Sequence, residues 1–341
     1  MNREIVKKIA SLVTLPFSFH FLRNYSNQNF IFPFYHLVAE NTPTYIKHFY
    51  KSLNRERFIS DLEFLLKHYQ PATIKDLSNF IASGKKSEKP LFFLSFDDGL
   101  KECYEIVYPI LKEKGIQAAF FINPDFVGNG DLFYKFKLGL IIDKLQKNTD
   151  KNTYSEISKR MGILNHGIAD LLQKINLLGI KDLEKINELA DLLRINFKET
   201  LAIDKPYMTT GQLKEIEQEG FLIGSHSMKH PLFSQLNEKE QIDEFEKSIQ
   251  YIKEKFSPQA LTFAFPFTDF DVKKSFFEYL DKSPNVDFSF GTAGIKNDKQ
   301  AKHIQRIPME VNGMKSAQQI LRTEYAYFMF KSFFGKNTIL R

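Results

Sequence analysis

Tryptophan is absent from the 341-residue chain and cysteine occurs once, at Cys103. A single thiol excludes an internal disulfide and any CxxC metal site, and it suits a reducing compartment. No dense block of one charge exists either. The 47 Lys and Arg against 41 Asp and Glu give a net charge of +6 that is spread thinly along the sequence. With no aromatic-basic motif and no nucleic-acid-binding helix signature, nucleic acid is excluded as a partner, while the cationic excess suits a phospholipid surface. Long hydrophobic runs are missing too. Leu12–Leu22 (LVTLPFSFHFL) is interrupted by Pro16 and His20, and it falls well short of the ~20 residues a bilayer-spanning helix needs. Lys7 and Lys8 precede it, but no small-x-small cleavage pattern follows. The expectation is a non-secreted, cytoplasmic protein whose first helix lies against a membrane or against its own domain. No repeat or low-complexity tract is present, and nothing sets an oligomeric state.

What the chain does hold is apolar residues at 43%, with 35 Phe and 14 Tyr among them, enough for a substantial core. Short β-rich runs alternate with longer helical patterns, which predicts a mostly parallel sheet covered by helices. The strand candidates are Phe30–His36, Leu91–Phe96, Ala118–Asn123, Phe221–Ser225, Ala260–Phe265, Asp287–Phe290 and His303–Ile307. Helical patterns cover Arg55–Tyr69, Lys101–Gly115, Thr209–Gly220, Glu238–Phe256, Val272–Lys282 and Ser316–Phe334, with Thr209 as a cap and Gly115 and Gly220 as stops. From about Asp131 to Asp204 the alternation fails and consecutive amphipathic helices are predicted, Asp182–Phe197 being one. That segment reads as a helical insertion capping one loop, or as a detached helical unit. The predicted divisions are an N-terminal helical segment over 1–29, an α/β body over 30–312 containing the insertion at 131–204, and an amphipathic C-terminal helix over 313–341. The stretch Tyr325–Phe334 with its nearby cations packs on the body or lies on a membrane surface.

Chemistry gathers at two strand ends. Leu91–Gly99 (LFFLSFDDG) closes an apolar strand on two adjacent carboxylates. In parallel α/β folds, reactive groups collect at the carboxyl ends of strands. Two neighbouring Asp residues repel each other, and a metal on one relieves that while the other stays free to take a proton. A plain turn and helix cap is the competing reading of Asp-Asp-Gly. Phe221–Pro231 (FLIGSHSMKHP) ends another strand on two histidines spaced i, i+4, and Pro231 biases His230 towards a loop. Two His and one carboxylate form a coherent set for a divalent ion with open positions.

Taken in order, three motifs resemble those of the polysaccharide deacetylases (carbohydrate esterase family 4, chitooligosaccharide deacetylase-like). They are Ser95-Phe96-Asp97-Asp98-Gly99, His226-Ser227-Met228-Lys229-His230 and Phe263-Ala264-Phe265-Pro266-Phe267. The likeness runs from about Ile31 to Glu310. It implies an irregular (β/α) barrel and metal-dependent removal of an acetyl group from an N-acetylated saccharide. The cofactor implied is one divalent ion, zinc first, with cobalt, nickel or manganese as alternatives. Carried over by position, Asp98, His226 and His230 hold the ion, Asp97 is the general base, and the Phe267 backbone N–H faces the developing oxyanion.

The match has gaps. Ala264 stands where the third motif usually carries an arginine that steadies the base, the tryptophan motif is missing, and no Leu-His motif supplies an acid. Some family members, especially those with Ala in the third motif, carry a Tyr-His near the N-terminus, and this chain has Tyr35-His36. His36 is therefore the candidate general acid, against a structural role, and Arg306 the candidate base-steadying cation, against a surface salt bridge. His303 is a substitute acid. Asp269 and Asp271 touch sugar hydroxyls or cap a helix, and His20, His48, His68 and His166 default to surface or core. O-deacetylation, hydrolysis of a non-sugar amide and a silent carbohydrate-binding role are the alternatives. With no export signal, a cytoplasmic, lipid-linked precursor fits better than mature wall polymer.

Overall fold

The computed structural model describes residues 6–7, 10, 14, 16–83, 89–147, 150–163, 167–300 and 302–341. Leu12, Val13 and Leu15 of the Leu12–Leu22 run, and His166, lie outside them. Eight parallel strands form the body: β1 (Pro33–Tyr35), β2 (Leu94–Phe96), β3 (Ala118–Ile122), β4 (Leu222–Ser225), β5 (Thr262–Ala264), β6 (Phe288–Gly291), β7 (His303–Gln305) and β8 (Ile307–Pro308). Around the sheet they run β7-β6-β5-β4-β3-β2-β1-β8. β7 and β8 are one chain segment split at Arg306. Its first half pairs with β6 (Gln305 opposite Gly291) and its second with β1 (Ile307 opposite Pro33). One strand thus closes the sheet into a barrel, and Arg306 stands at the seam.

All seven expected runs overlap these strands, but Phe30–His36 and Leu91–Phe96 are each broken once, as His303–Ile307 is at Arg306. Phe30–Ile31 and Leu91–Phe92 pair with each other and with Gln70–Pro71 in a separate small sheet. Gln70–Pro71, and the pair Asn297–Asp298 with Thr338–Ile339, are two-residue edges that carry too few side chains for a periodicity. The strands are short and buried on both faces, as parallel barrel strands are. At Gly224 an added Cβ would lie 2.4 Å from the Thr262 hydroxyl and 2.6 Å from the Phe121 ring, so only glycine fits there.

Helices follow the predicted patterns. Thr210–Gln218 starts from a Thr209–Gln212 capping box, and Ala317–Ser332 is capped by Ser316. Lys101–Gly115 is a π turn over Cys103–Val107 continued by the helix Tyr108–Glu113. Ile74–Ser83 is a helix that the pattern missed. The expected Asp182–Phe197 helix is two, Leu183–Leu192 and Phe197–Asp204, because Arg194 takes φ +55° and Asn196 caps the second. The C-terminal helix is not amphipathic over its middle: Thr323–Met329 are buried all round.

Between β3 and β4 the chain forms the helices Tyr134–Lys147, Lys151–Arg160, Ile168–Asn176, Leu183–Leu192 and Phe197–Asp204. Their apolar faces make a separate core that takes in Leu37, Tyr45, Ile46 and Leu100 from the loops after β1 and β2. This helical roof is therefore seated on the carboxyl end of the barrel. Gly139 sets the closeness of the seat, since a Cβ there would lie 2.2 Å from the Tyr45 carbonyl oxygen.

Candidate active site

Asp97 and Asp98 leave the end of β2. The Asp97 N–H donates to the Tyr35 carbonyl across β1, extending the ladder by one residue. Asp98 then adopts φ +72° and Gly99 φ +64°, which turns the two carboxylates to different sides. β4 ends in Ser225, and the following loop makes two more left-handed residues, Ser227 (φ +65°) and His230 (φ +56°). The loop geometry anticipated from Pro231 is thus present. The Ser227 hydroxyl accepts the His230 N–H at 3.1 Å, and Asn123, just past β3, donates its amide to the His226 and Ser227 carbonyls. Left-handed backbone at non-glycine residues is costly and concentrates at functional sites.

The four side chains converge in the barrel mouth. Nε2 of His230 lies 3.1 Å and Nε2 of His226 3.6 Å from Oδ1 of Asp98, and His226 is 3.8 Å from Oδ2 of Asp97. All four residues are at most 6% exposed. The ligand atoms of Asp98, His226 and His230 lie within 4.8 Å of one another. Three features fit this set to a divalent cation. The buried Oδ1 of Asp98 has no hydrogen-bond partner. Nδ1 of His226 lies 2.8 Å from the Ala264 carbonyl, so the N–H sits there and the Nε2 lone pair faces Asp98. Burial, only partly offset by Asp97, lowers the His226 pKa to about 4, which keeps the ring neutral as a ligand must be.

Asp97 is held differently. Arg306 reaches across the lumen from the seam and donates from Nη1 to Oδ1 at 2.7 Å and from Nη2 to Oδ2 at 2.8 Å. Its other donors meet Ser95 Oγ at 3.0 Å and the Gly291 carbonyl at 3.3 Å, and its plane lies 4.3 Å from the Phe34 ring centre. The residue is wholly buried, so the surface salt-bridge reading does not hold. Burial opposes ionisation of Asp97, but Arg306 outweighs it and lowers the pKa. A two-point fork fixes orientation as well as charge. Ala264 lies three strands from Asp97 on one side of the barrel, whereas Arg306 approaches from two strands away on the other.

His36 follows β1 and lines the same pocket. Nδ1 lies 2.5 Å from Glu310 Oε2, and Glu310 also accepts the His36 and Leu37 N–H groups. Burial works against the charged ring, but Glu310, with smaller help from Asp98 and Asp97, raises its pKa to about 9. Tyr50 packs its ring 5.2 Å from His36 and donates to Oδ2 of Asp98 at 3.4 Å. Phe267 takes φ +57° and sets its ring against His230, centres 4.5 Å apart. No acceptor for its backbone N–H is found among the described residues.

Other candidates are engaged elsewhere. His303 is bound to Ser289 and Asp269 and does not line the pocket. Asp269 is neither a cap nor an open sugar contact. It is buried among His303, Gln305, Arg341 and the Thr292 N–H, which ties the third-motif loop to β6 and β7. Asp271 is exposed and gives the next helix no cap. His20 bonds Arg23 and Asn24, His48 sits by Asp143, and His68 packs on Phe19 and Phe64.

Sequence reasoning missed Tyr50, Glu310, Asn123 and Lys135. Asn123 and Glu310 each stand within two residues of a strand end, a usable signal. Tyr50 and Lys135 carry none. The pocket encloses about 290 Å³ between the barrel and the roof, with Phe49 and Tyr50 on one wall, Phe133, Lys135 and Phe136 from the roof, and Phe267 at the rim.

A parallel barrel thus carries paired carboxylates and two histidines at its mouth, three of which could together hold a metal ion. The chain belongs to the polysaccharide deacetylase family, whose model matches residues 84–176 and 184–278. YxkH of Bacillus subtilis strain 168, also named for polysaccharide deacetylation, is 33% identical over 61 residues, which is 18% of this chain and 22% of YxkH. The chain thus spans about a fifth of that relative. The fold is similar to that of the Streptococcus pyogenes deacetylase PplD in complex with acetate (TM-score 0.55, 15% identity, 86% of this chain and 97% of that one). It is also similar to that of IcaB from Ammonifex degensii (TM-score 0.54, 15% identity, 87% and 97%).

Proposed function

We propose that the protein is a metal-dependent deacetylase that hydrolyses the acetamido group of a single N-acetylated sugar residue held in the roofed pocket. The observation that carries this reading is the division of labour between adjacent carboxylates. Asp98 faces two imidazoles with an unmatched oxygen, while Asp97 is forked by Arg306. A divalent ion held by Asp98, His226 and His230 would supply Lewis acidity and a water of lowered pKa. Asp97 takes the proton from the attacking water, and Arg306 keeps its carboxylate ionised and aimed. The Phe267 N–H is the donor for the carbonyl oxygen as charge builds on it, an arrangement whose loss costs roughly 2.7–4 kcal/mol of barrier. His36, held protonated by Glu310, gives its proton to the leaving amine.

The substrate class follows from the roof. A volume of about 290 Å³ is at the low end of the ~300–1,000 Å³ of small-molecule sites, and aromatic walls on both sides suit one sugar ring. A terminal or isolated residue fits that shape better than the interior of a polymer. Retention of a forked base beside the ligand set argues against a silent binding protein, which needs no base.

Metal content and acetate release measured together test the reading. Wild type should bind one divalent ion and release acetate, and His226→Ala should lose both. Asp97→Asn should keep the ion and lose nearly all turnover. Full metal content in His226→Ala, or loss of the ion in Asp97→Asn, would overturn the assignments. Comparing an N-acetyl with an O-acetyl sugar separates amidase from esterase.

A further inference from the structure

On the helix Phe19–Ser26 and the turn before it, Phe17, Phe21 and Tyr25 recur every four residues and are 37%, 46% and 43% exposed. They make one apolar stripe turned to solvent, while Leu22 and Ser26 face the body. Phe333 and Phe334, at 70% and 61% exposed, leave the end of the C-terminal helix beside the stripe. Tyr25 bridges the two, with its hydroxyl 3.0 Å from Ser332 Oγ and its ring 6.3 Å from that of Phe333. Five exposed aromatic rings from opposite ends of the chain thus form one surface. Lone exposed apolar residues need no explanation, but a contiguous patch marks an interaction site.

The two stretches that carry this surface are one-sided in charge. The sequence has no Asp or Glu over residues 5–39 or over 325–341. Lys336 is exposed, and Lys331 lies over the Tyr327 ring at 5.5 Å. Aromatic rings beside lysines, with no acid in either stretch, are the composition of a side chain belt at a lipid headgroup boundary. A second copy of the chain is a poorer occupant. A two-fold contact through this patch would set the Lys331 and Lys336 groups of both copies close together.

We infer that this aromatic and basic surface docks the protein on an anionic lipid bilayer. Contact is peripheral, since no described helix is long and apolar enough to cross a membrane. The topology also fixes the orientation. Phe19–Ser26 enters the barrel at the amino ends of its strands, and the 16-residue C-terminal helix returns from the mouth, a span of about 24 Å at 1.5 Å per residue. The surface therefore lies at the end opposite Asp97 and Asp98, and a docked molecule holds its mouth away from the lipid. Sugar presented above the membrane is within reach, and a headgroup in the same leaflet is not.

Sedimentation of the full chain with vesicles tests this. Binding is expected to phosphatidylcholine vesicles containing phosphatidylglycerol, to weaken in high salt, and to be at least tenfold poorer on phosphatidylcholine alone. Lys331→Gln and Lys336→Gln should each lower partitioning roughly fivefold, the worth of one cation near an anionic surface. The pair Phe21→Ser and Phe334→Ser should abolish binding while leaving the melting temperature near that of wild type, because both side chains are already exposed. Retained binding in that pair overturns the proposal. So does a concentration-dependent dimer that the pair abolishes without any vesicle binding, which assigns the surface to a second copy.

Discussion

At the barrel mouth most of the candidate groups stand within two residues of a parallel strand end: His36 after β1, Asp97 and Asp98 after β2, His226 after β4, Arg306 at the seam of β7 and β8, with His230 and Phe267 a few residues further on. In the roof, by contrast, Phe133, Lys135 and Phe136 reach the pocket from the first turn of a helix whose other turns serve a separate core. The mouth is set by short backbone ladders that leave little slack. The roof is set by packing of helix faces, so its position over the site depends on close contacts such as Gly139 against Tyr45. Chemistry is therefore expected to fail sharply when the mouth is altered and substrate fit to fail gradually when the roof is.

The largest effect is expected for Arg306→Ala. Removing one partner of a buried ion pair typically costs about 3–5 kcal/mol, because the other charge is left unmatched. Denaturant unfolding should show a loss of that size, and acetate release should fall with it. Arg306→Lys keeps the charge but loses the fork, so it should recover more stability than activity. Equal recovery of both would mean that Asp97 needs only a nearby cation.

Next in size is His36→Ala, expected to slow amide hydrolysis roughly 10²–10⁴-fold, the usual contribution of a general acid, with metal content unchanged. An activated ester, whose leaving group needs no proton, should lose far less. Parallel losses on both substrates would reduce His36 to a structural partner of Glu310.

Gly139→Ala sharpens the comparison from the roof side, because two effects oppose. Alanine favours a helix over glycine by about 1 kcal/mol, whereas overpacking against the Tyr45 carbonyl costs about 1–3 kcal/mol. The clash is with backbone, which cannot swing aside, so the roof is expected to shift. KM should rise about tenfold, the equivalent of ~1.4 kcal/mol, with kcat and metal content nearly intact. A fall in kcat alone would tie the roof to the chemistry and not to substrate fit.

How much of this was legible in the sequence follows the same divide. The strands, the paired carboxylates and the His-x-x-x-His loop were readable because strand-end chemistry is local, recorded within a few residues of an apolar run. Arg306 was reachable only through the absence of an arginine at Ala264, and its wholly buried fork with Asp97 depends on a barrel closure that no local pattern records. Tyr50 sits in a loop with no periodicity, and Lys135 and Phe136 look like any helix start. The break at Arg194 was hidden because leucines and isoleucines keep helical spacing on both sides of it. Asp269 was misread because its partners, His303, Gln305 and Arg341, come from far along the chain.

The smallest expected effect is the pH dependence of stability that His36 contributes to the metal-free protein. Its pKa is raised from 6.5 to about 9: burial opposes the charge, but Glu310 at 2.5 Å, then Asp98 and Asp97, favour it more strongly. A histidine that holds its proton more tightly when folded stabilises the fold fully below its unfolded pKa of about 6.5. That contribution is lost as pH rises from there through about 9. Melting temperatures of wild type and His36→Gln, both with a chelator, should therefore differ by a constant amount in mildly acidic solution and converge in alkaline solution. Groups that titrate alike in both proteins cancel in that difference. Glu310→Gln removes the largest stabilising neighbour and should flatten the difference at every pH. Adding a divalent ion offsets the charge of Asp98, so it should move the convergence to lower pH without removing it. A difference that stays constant through pH 9 would show that His36 is neutral in the folded protein, and it would remove His36 as the proposed proton donor to the leaving amine.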